Sequence, residues 1–291
     1  MSERQPVLLD WLLLLVLALI WGASFIFIKR AVQVYDPVQM AMWRMVLATL
    51  IYIPVAAVYW SRINWKYWKY FVAVAFFGSA IPNFLFAVAQ RHVDSSLAGV
   101  LNALAPLFTL LIGMSFFANQ FKRAKIIGVL IGLAGAIILI LGNQSSSVEG
   151  NWFFAALCAL ATLCYAINAN LVQQYLKDQH PAVIASAAFM LSGILFFAGL
   201  WASDGYQVAI QHPKGLSSLG YILYLSSLGT VGGSILYFWL LQRTSAIFAT
   251  SVTYLLPVIA IALGALDGEA LGLADYLGTS IILTGVYLTR N

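Results

Sequence analysis

Two prolines stand inside long apolar runs, and each follows a polar residue by four positions: Asn102 before Pro106, and Thr253 before Pro257. Proline has no N–H, so in a helix the carbonyl four residues back loses its donor. Asn102 and Thr253 would then each present a free backbone acceptor beside a polar side chain. Two such acceptors suit a ligand's ammonium group. A plain kink, its carbonyl satisfied by water or a neighbouring helix, is the competing reading. Pro82 would free the carbonyl of Gly78 in the same way, with Gly233 as the counterpart of Pro82.

Other polar and aromatic residues fall on shared helical faces. Asn83, Phe86 and Gln90 recur at i, i+3 and i+7; Asn102, Pro106 and Thr109 recur at i, i+4 and i+7; Trp21 and Ser24 share a face. Later in the chain Tyr165 pairs with Asn168, Ser234 with Tyr237, and Thr253 with Pro257. Polar groups within spans are costly unless they meet protein or water. As a set they predict a lined cavity, and the aromatic faces of Trp21, Phe86, Tyr165 and Tyr237 suit an amphipathic solute. Taken singly, each is as well explained by hydrogen bonding between helices, worth about 0.6 kcal/mol. Arg44 is the one formal charge well inside an apolar run. Snorkelling or bonding to carbonyls of another helix is its expected role, contact with a carboxylate the alternative.

The absences narrow the chemistry. All ten acidic residues and all three histidines fall at the ends of apolar runs or between them, so no proton relay lies mid-span. No nucleophile–base pair, phosphate-binding Gly-Lys-Ser/Thr loop or metal-ligand spacing occurs, which argues against an enzyme, an ATP-driven pump and any cofactor or metal. Cys158 and Cys164 share one apolar run and read as buried small hydrophobes.

The elements that would position these groups follow from composition. Of 291 residues 62% are hydrophobic, and only 25 are charged. Soluble domains are about 45–50% apolar and about 25% charged. The runs are continuous rather than alternating, so helices are expected and a barrel is not. Ten spans are predicted, near 8–29, 38–60, 68–90, 96–117, 125–143, 151–175, 183–203, 217–241, 246–266 and 272–289. The first follows Arg4 but lacks an A-x-A cleavage pattern and continues through Phe25–Ile28, so it reads as a retained helix rather than a signal peptide. With the N-terminus inside, ten Lys and Arg residues fall in inside segments and four (Lys29, Arg30, Arg91, Lys214) outside. Both termini are therefore expected in the cytoplasm. The net charge of +5 carries no implication of nucleic-acid binding; the partners expected are a lipid bilayer and a small-molecule substrate.

The two halves of the chain match weakly but in order. Pro37 and Trp21 fall on Pro181 and Tyr165 at an offset of 144; Gly78, Leu85, Ala98, Pro106 and Gly113 fall on Gly229, Leu236, Ala249, Pro257 and Gly264 at 151; Gly128 and Gly135 fall on Gly278 and Gly285 at 150. The expected organisation is an all-α polytopic membrane protein: a five-helix repeat over 1–143, a linker over 144–150 and an inverted five-helix repeat over 151–291. Gly128, Gly132 and Gly135, with Gly278 and Gly285, predict close packing of the fifth and tenth spans. That pair would lie at the periphery or form a homodimer contact, a monomer being the alternative.

These residues resemble the drug/metabolite transporter superfamily in its ten-helix EamA-type branch. The resemblance rests on Trp21-Gly22-Ala23-Ser24-Phe25, Arg44 after Pro37, Pro106 with Pro257, the paired glycines, and Gly268-Glu269 before the last span. Asn119-Gln120 and Cys164-Tyr165-Ala166 depart from the family's Gly-Glu and Trp-Gly-Ala. Within the branch the chain looks most similar to amino acid exporters. The resemblance implies a secondary transporter in a bacterial cytoplasmic membrane, exporting aromatic and other neutral or small amino acids, or related metabolites, by alternating access through a central cavity. The other readings are a transporter of the same class for a nucleotide sugar or a cationic drug, and a passive channel.

Overall fold

The computed structural model describes residues 5–89, 92–93, 95–142, 152–266 and 272–290. The predicted cavity residue Gln90, the linker and Gly268-Glu269 lie outside them. The regular elements of the described residues are helices: α1 Leu8–Ala31, α2 Pro37–Tyr59, α3 Trp68–Ala75, α4 Ile81–Ala89, α5 Ser95–Asn102, α6 Ala105–Phe116, α7 Arg123–Gly142, α8 Trp152–Tyr175, α9 Pro181–Ala202, α10 Gly205–Gln211, α11 Gly215–Tyr224, α12 Gly233–Arg243, α13 Ala246–Thr250, α14 Val252–Leu266 and α15 Leu273–Leu288, with short 3-10 turns before α3. Two π-helical segments interrupt them, Phe76–Ala80 between α3 and α4, and Leu225–Gly232 between α11 and α12.

Helix starts follow local chemistry. At α2, Asp36 Oδ1 accepts from Val38 N at 2.9 Å, Gln39 Oε1 accepts from Asp36 N at 3.1 Å, and Pro37 supplies the first helical residue. His180 Nδ1 accepts from Ala182 N ahead of α9, and Ser245 Oγ accepts from Phe248 N ahead of α13.

The expected count of ten spans in two inverted five-helix repeats is not met. Among the described residues seven helices are long and apolar enough to cross a membrane: Pro37–Arg62, Trp65–Ala89, Leu97–Phe116, Trp152–Tyr175, Pro181–Ala202, Gly215–Arg243 and Ala246–Leu263. Seven cannot be divided into two five-helix halves. For α15 the reason is helix length. The apolar stretches Leu8–Ser24, which is part of α1, and Leu273–Leu288 are shorter than any of the seven. The sixteen residues of α15 rise about 24 Å, less than the ~30 Å of hydrocarbon. Arg123–Gly142 is not among the seven either. A polytopic all-α membrane protein stands.

α2 packs along α9, where Gly193 lies against Thr49 and Gly199 against Met42. α7 packs along α15: a Cβ on Gly285 would stand 2.5 Å from Gly132 Cα, and one on Gly135 2.7 Å from Ile282 N. The glycine stripes thus face each other within one chain. The outer surface carries large apolar side chains, Val58, Ile194 and Leu216 among them, with Trp60, Trp65, Trp152 and Trp201 at helix ends as expected of membrane interfaces.

The end of the bundle that holds α1's first turn is tied by polar contacts. Arg243 Nε donates to Asp10 Oδ1 at 2.5 Å, and Asp10 Oδ2 accepts from Val7 N at 2.9 Å. Lys125 Nζ donates to Ser245 Oγ at 3.4 Å, and Gln173 Oε1 accepts from Ala246 N at 2.7 Å. At the opposite end Tyr35 is buried, its hydroxyl donating to Gly215 O at 2.9 Å. Burial raises the pKa of the Tyr35 phenol above its ordinary value.

Candidate functional site

The segment Leu225–Gly232 is the hub of the polar interior. Its backbone is wound five residues per hydrogen bond, so Gly233 N donates to Leu228 O. This widens the turn and leaves carbonyls and hydroxyls facing inward, a feature often found at functional sites. Trp21 of α1 donates from Nε1 to Gly229 O at 2.8 Å. Its ring stands 5.8 Å from that of Tyr237, tilted by 42°. Gly233 permits this approach: a Cβ there would lie 2.5 Å from Trp21 Nε1. Ser24 is buried one turn along α1, donating to Ile20 O at 2.8 Å, and its Oγ comes within 3.3 Å of where a Gly229 Cβ would be.

Arg44 of α2 enters the same region. Its Nε donates to Thr230 Oγ1 at 2.8 Å, and its charge interacts with Tyr165 of α8. Tyr165 stacks with Phe86 of α4 at 6.2 Å and 22°. One turn along α8, Asn168 is buried against the π segment Phe76–Ala80, where a Cβ on Gly78 would meet its Oδ1 at 2.8 Å. That Oδ1 has no hydrogen-bond donor. Gly78 and Gly229, paired at an offset of 151 in the sequence, thus each lie in a π segment beside the polar interior.

The other predicted site residues do not join this group through any direct contact. Asn83 turns back on its own helix, Nδ2 donating to Ser79 O at 2.7 Å. Ser234 lies beside the hydroxyl of Tyr52, which donates to Val231 O at 3.1 Å. Thr253 Oγ1 donates to Thr250 O at 3.0 Å. Asn102 ends α5, half-buried. The two prolines are not equivalent. Pro106 opens α6 after a full break at Ala103–Leu104, whereas Pro257 lies inside α14 and the break near it falls at Ser251. Missed as site residues were Gly229, noted only as a repeat match, and Thr230. Thr230 is a polar residue in an apolar run and could have been flagged; the π winding leaves no trace in residue type.

Two surface grooves lie apart from this centre. One of about 310 Å³, lined by Trp11, Leu14, Leu255 and Ile259, separates α1 from α14 and α15; the other, of about 550 Å³, is lined by Met42, Phe76, Phe84 and Phe196. Both are lined almost wholly by apolar residues, in keeping with a bilayer-facing surface.

The profile of the EamA-like transporter family matches residues 9–141 and again 152–291. An uncharacterized transporter of Archaeoglobus fulgidus is 25% identical over 280 residues, spanning 96% of this chain and 97% of its own. The uncharacterized inner membrane transporter YedA of Escherichia coli K12 is 27% identical, over 94% of this chain and 88% of its own. Protein PagO of Salmonella typhimurium is 23% identical, over 96% and 91%. A crystal structure 17% identical in sequence superposes with a TM-score of 0.71, covering 96% of this chain and 95% of that one, and so shares the fold. These names carry no solute and single out no exporter branch. With both profile matches together spanning nearly the whole length, the chain belongs to the EamA-like transporter family and is a secondary transporter of small molecules across a membrane.

Proposed function

We propose that this chain exports neutral and aromatic amino acids across a bacterial inner membrane by alternating access. The site is the interior formed by Trp21, Ser24, Phe86, Tyr165, Asn168 and Tyr237, with Asn83, Asn102, Ser234 and Thr253 along its approaches. The observation that carries this reading is the pairing of two aromatic contacts, Trp21 with Tyr237 and Phe86 with Tyr165, around buried polar groups. Rings on two sides suit an apolar side chain. Asn168 Oδ1, buried without a donor, suits an ammonium group, since an unpaired buried acceptor is costly. The name of the relative YedA supports the inner membrane. The two profile matches leave 142–151 between them, which supports division into residues 1–143 and 151–291 around a 144–150 linker.

Counterflow of labelled amino acids in proteoliposomes tests this. Saturable exchange of phenylalanine is expected, proceeding without a pH gradient because no carboxylate or imidazole lies mid-span. Unsaturable flux without exchange would make the protein a channel. Exchange only of a nucleotide sugar or a cationic drug would refute the amino acid reading. For orientation, a cysteine placed in 144–150 should react with an impermeant reagent from outside and one in 62–69 should not.

A further inference from the structure

Arg44 stands inside α2, which runs Pro37–Tyr59, and a formal charge there is costly unless something answers it. Both its backbone and its side chain are held by the π segment Leu225–Gly232. Ser226 Oγ lies 2.9 Å from the Arg44 carbonyl, and Arg44 Nε donates to Thr230 Oγ1. Thr230 Oγ1 itself donates to Leu225 O at 3.2 Å, so its one proton is committed and only lone pairs face the guanidinium. The fork is therefore fixed through Nε, and the terminal nitrogens project past Thr230. Nη2 lies 3.4 Å from where a Cβ on Gly229 would stand, so the glycine keeps that side clear.

Nothing among the described residues answers these nitrogens. Asp10, a carboxylate that does meet an arginine, is taken by Arg243. Among the described residues the buried side-chain atoms without a partner are Asn168 Oδ1 and Arg290 Nε; the terminal nitrogens of Arg44 are not among them, being unbonded but not sealed in. Arg44 is half-buried, and Tyr165 of α8 lies close enough to feel its charge. A planar, two-pronged donor positioned through Nε, with its terminal nitrogens unbonded, matches a planar two-oxygen acceptor.

We infer that Arg44 is a carboxylate-binding site, its terminal nitrogens taking the two oxygens of the solute's carboxylate. This rests on the amino acid reading, for which the group would be the α-carboxylate, with the side chain against the aromatic pairs.

The test is thermal stabilisation of the purified full chain in detergent by phenylalanine, phenylacetate and phenethylamine. Phenylalanine and phenylacetate should both bind, and phenethylamine, which lacks the carboxylate, should bind about tenfold or more weaker than phenylalanine. Arg44→Gln should weaken the two carboxylates about tenfold or more, and Arg44→Lys should recover part of the loss. Phenethylamine binding as tightly as phenylalanine, or carboxylate binding untouched by Arg44→Gln, would overturn the inference while leaving amino acid counterflow intact. So would stabilisation by inorganic phosphate with phenylacetate silent. Phenylacetate held through Arg44 in a protein that exchanges no amino acid would keep the Arg44 site and sink the amino acid reading. If Arg44→Gln does not fold, the three-ligand comparison on the unaltered chain decides.

Discussion

Gly233→Ala strikes the contact on which the aromatic centre depends. The new Cβ would stand 2.5 Å from Trp21 Nε1 and 3.2 Å from its Cε2. Ordinary contact begins near 3.4 Å, so the indole must retreat by 3.4 − 2.5 = 0.9 Å. A retreat of that size along the 2.8 Å bond to Gly229 O takes it out of hydrogen-bonding range. Losing one neutral hydrogen bond costs ~0.5–1.5 kcal/mol, and crowding a packed site costs ~1–3 kcal/mol. Alanine returns ~1 kcal/mol in helix propensity. The net is a destabilisation of about 2 kcal/mol. The displaced ring also leaves Tyr237, so KM for phenylalanine should rise about fivefold. Gly232→Ala is the control: its Cβ would meet nothing closer than Ser227 O at 3.5 Å. Trp21→Phe removes the donor without crowding and separates the two costs. Heat denaturation in detergent and counterflow kinetics are read on the same preparations. If Gly233→Ala and Gly232→Ala agree in both stability and KM, Trp21 is not seated as described.

Gly285→Ala should destabilise, because its Cβ would meet the backbone of Gly132, which cannot yield; Gly220→Ala, with nothing within 4 Å, should be neutral or stabilising by up to ~1 kcal/mol in heat denaturation. Equal shifts would argue against the α7–α15 contact. The Tyr35 phenol, its folded pKa raised by burial above 10.0, contributes stability that is full below the ordinary value and lost as pH rises through the folded one. Tyr35→Phe should therefore cost ~1 kcal/mol at pH 8, through the lost bond to Gly215 O, and flatten the decline above pH 10. Arg243→Ala leaves the fully buried Asp10 without its cation and should cost ~3 kcal/mol in chemical denaturation, whereas Arg243→Ala combined with Asp10→Asn should cost less.

Apolar runs placed the helices because burial in lipid demands continuous apolar sequence, and α2, α8 and α9 begin and end within two residues of the predicted limits. Run length is not helix length: the last apolar run forms a helix of only sixteen residues, one place where the count of spans failed. Pro106 announced the break before α6, since proline fits a first turn. Pro257 misled for the opposite reason: α14 tolerates it, and the chain breaks at Ser251 instead. The glycines of α7 and α15 were legible because only backbone contact requires a stripe without Cβ atoms. Trp21, Tyr165 and Tyr237 were found as polar-edged aromatics in apolar runs. Arg44 was visible as a lone charge, but its setting was not. That setting depends on a π turn whose residues would serve equally well in an α-helix.

The meeting of α7 and α15 has a mechanical consequence. Where side chains interdigitate, two helices can shear by small changes of rotamer. Here Gly132, Gly285, Gly135 and Gly278 bring main chain close to main chain, with few side chains between the two helices. Turning either helix would drive a neighbour such as Ile281 or Leu139 into the space the glycines vacate. The pair is a single stiff beam. Tyr254, donating to Val129 O at 2.9 Å, rivets α14 to it. A pair so tightly joined is expected to move as one body, and two spin labels set one on each of its helices should keep their distance with and without phenylalanine.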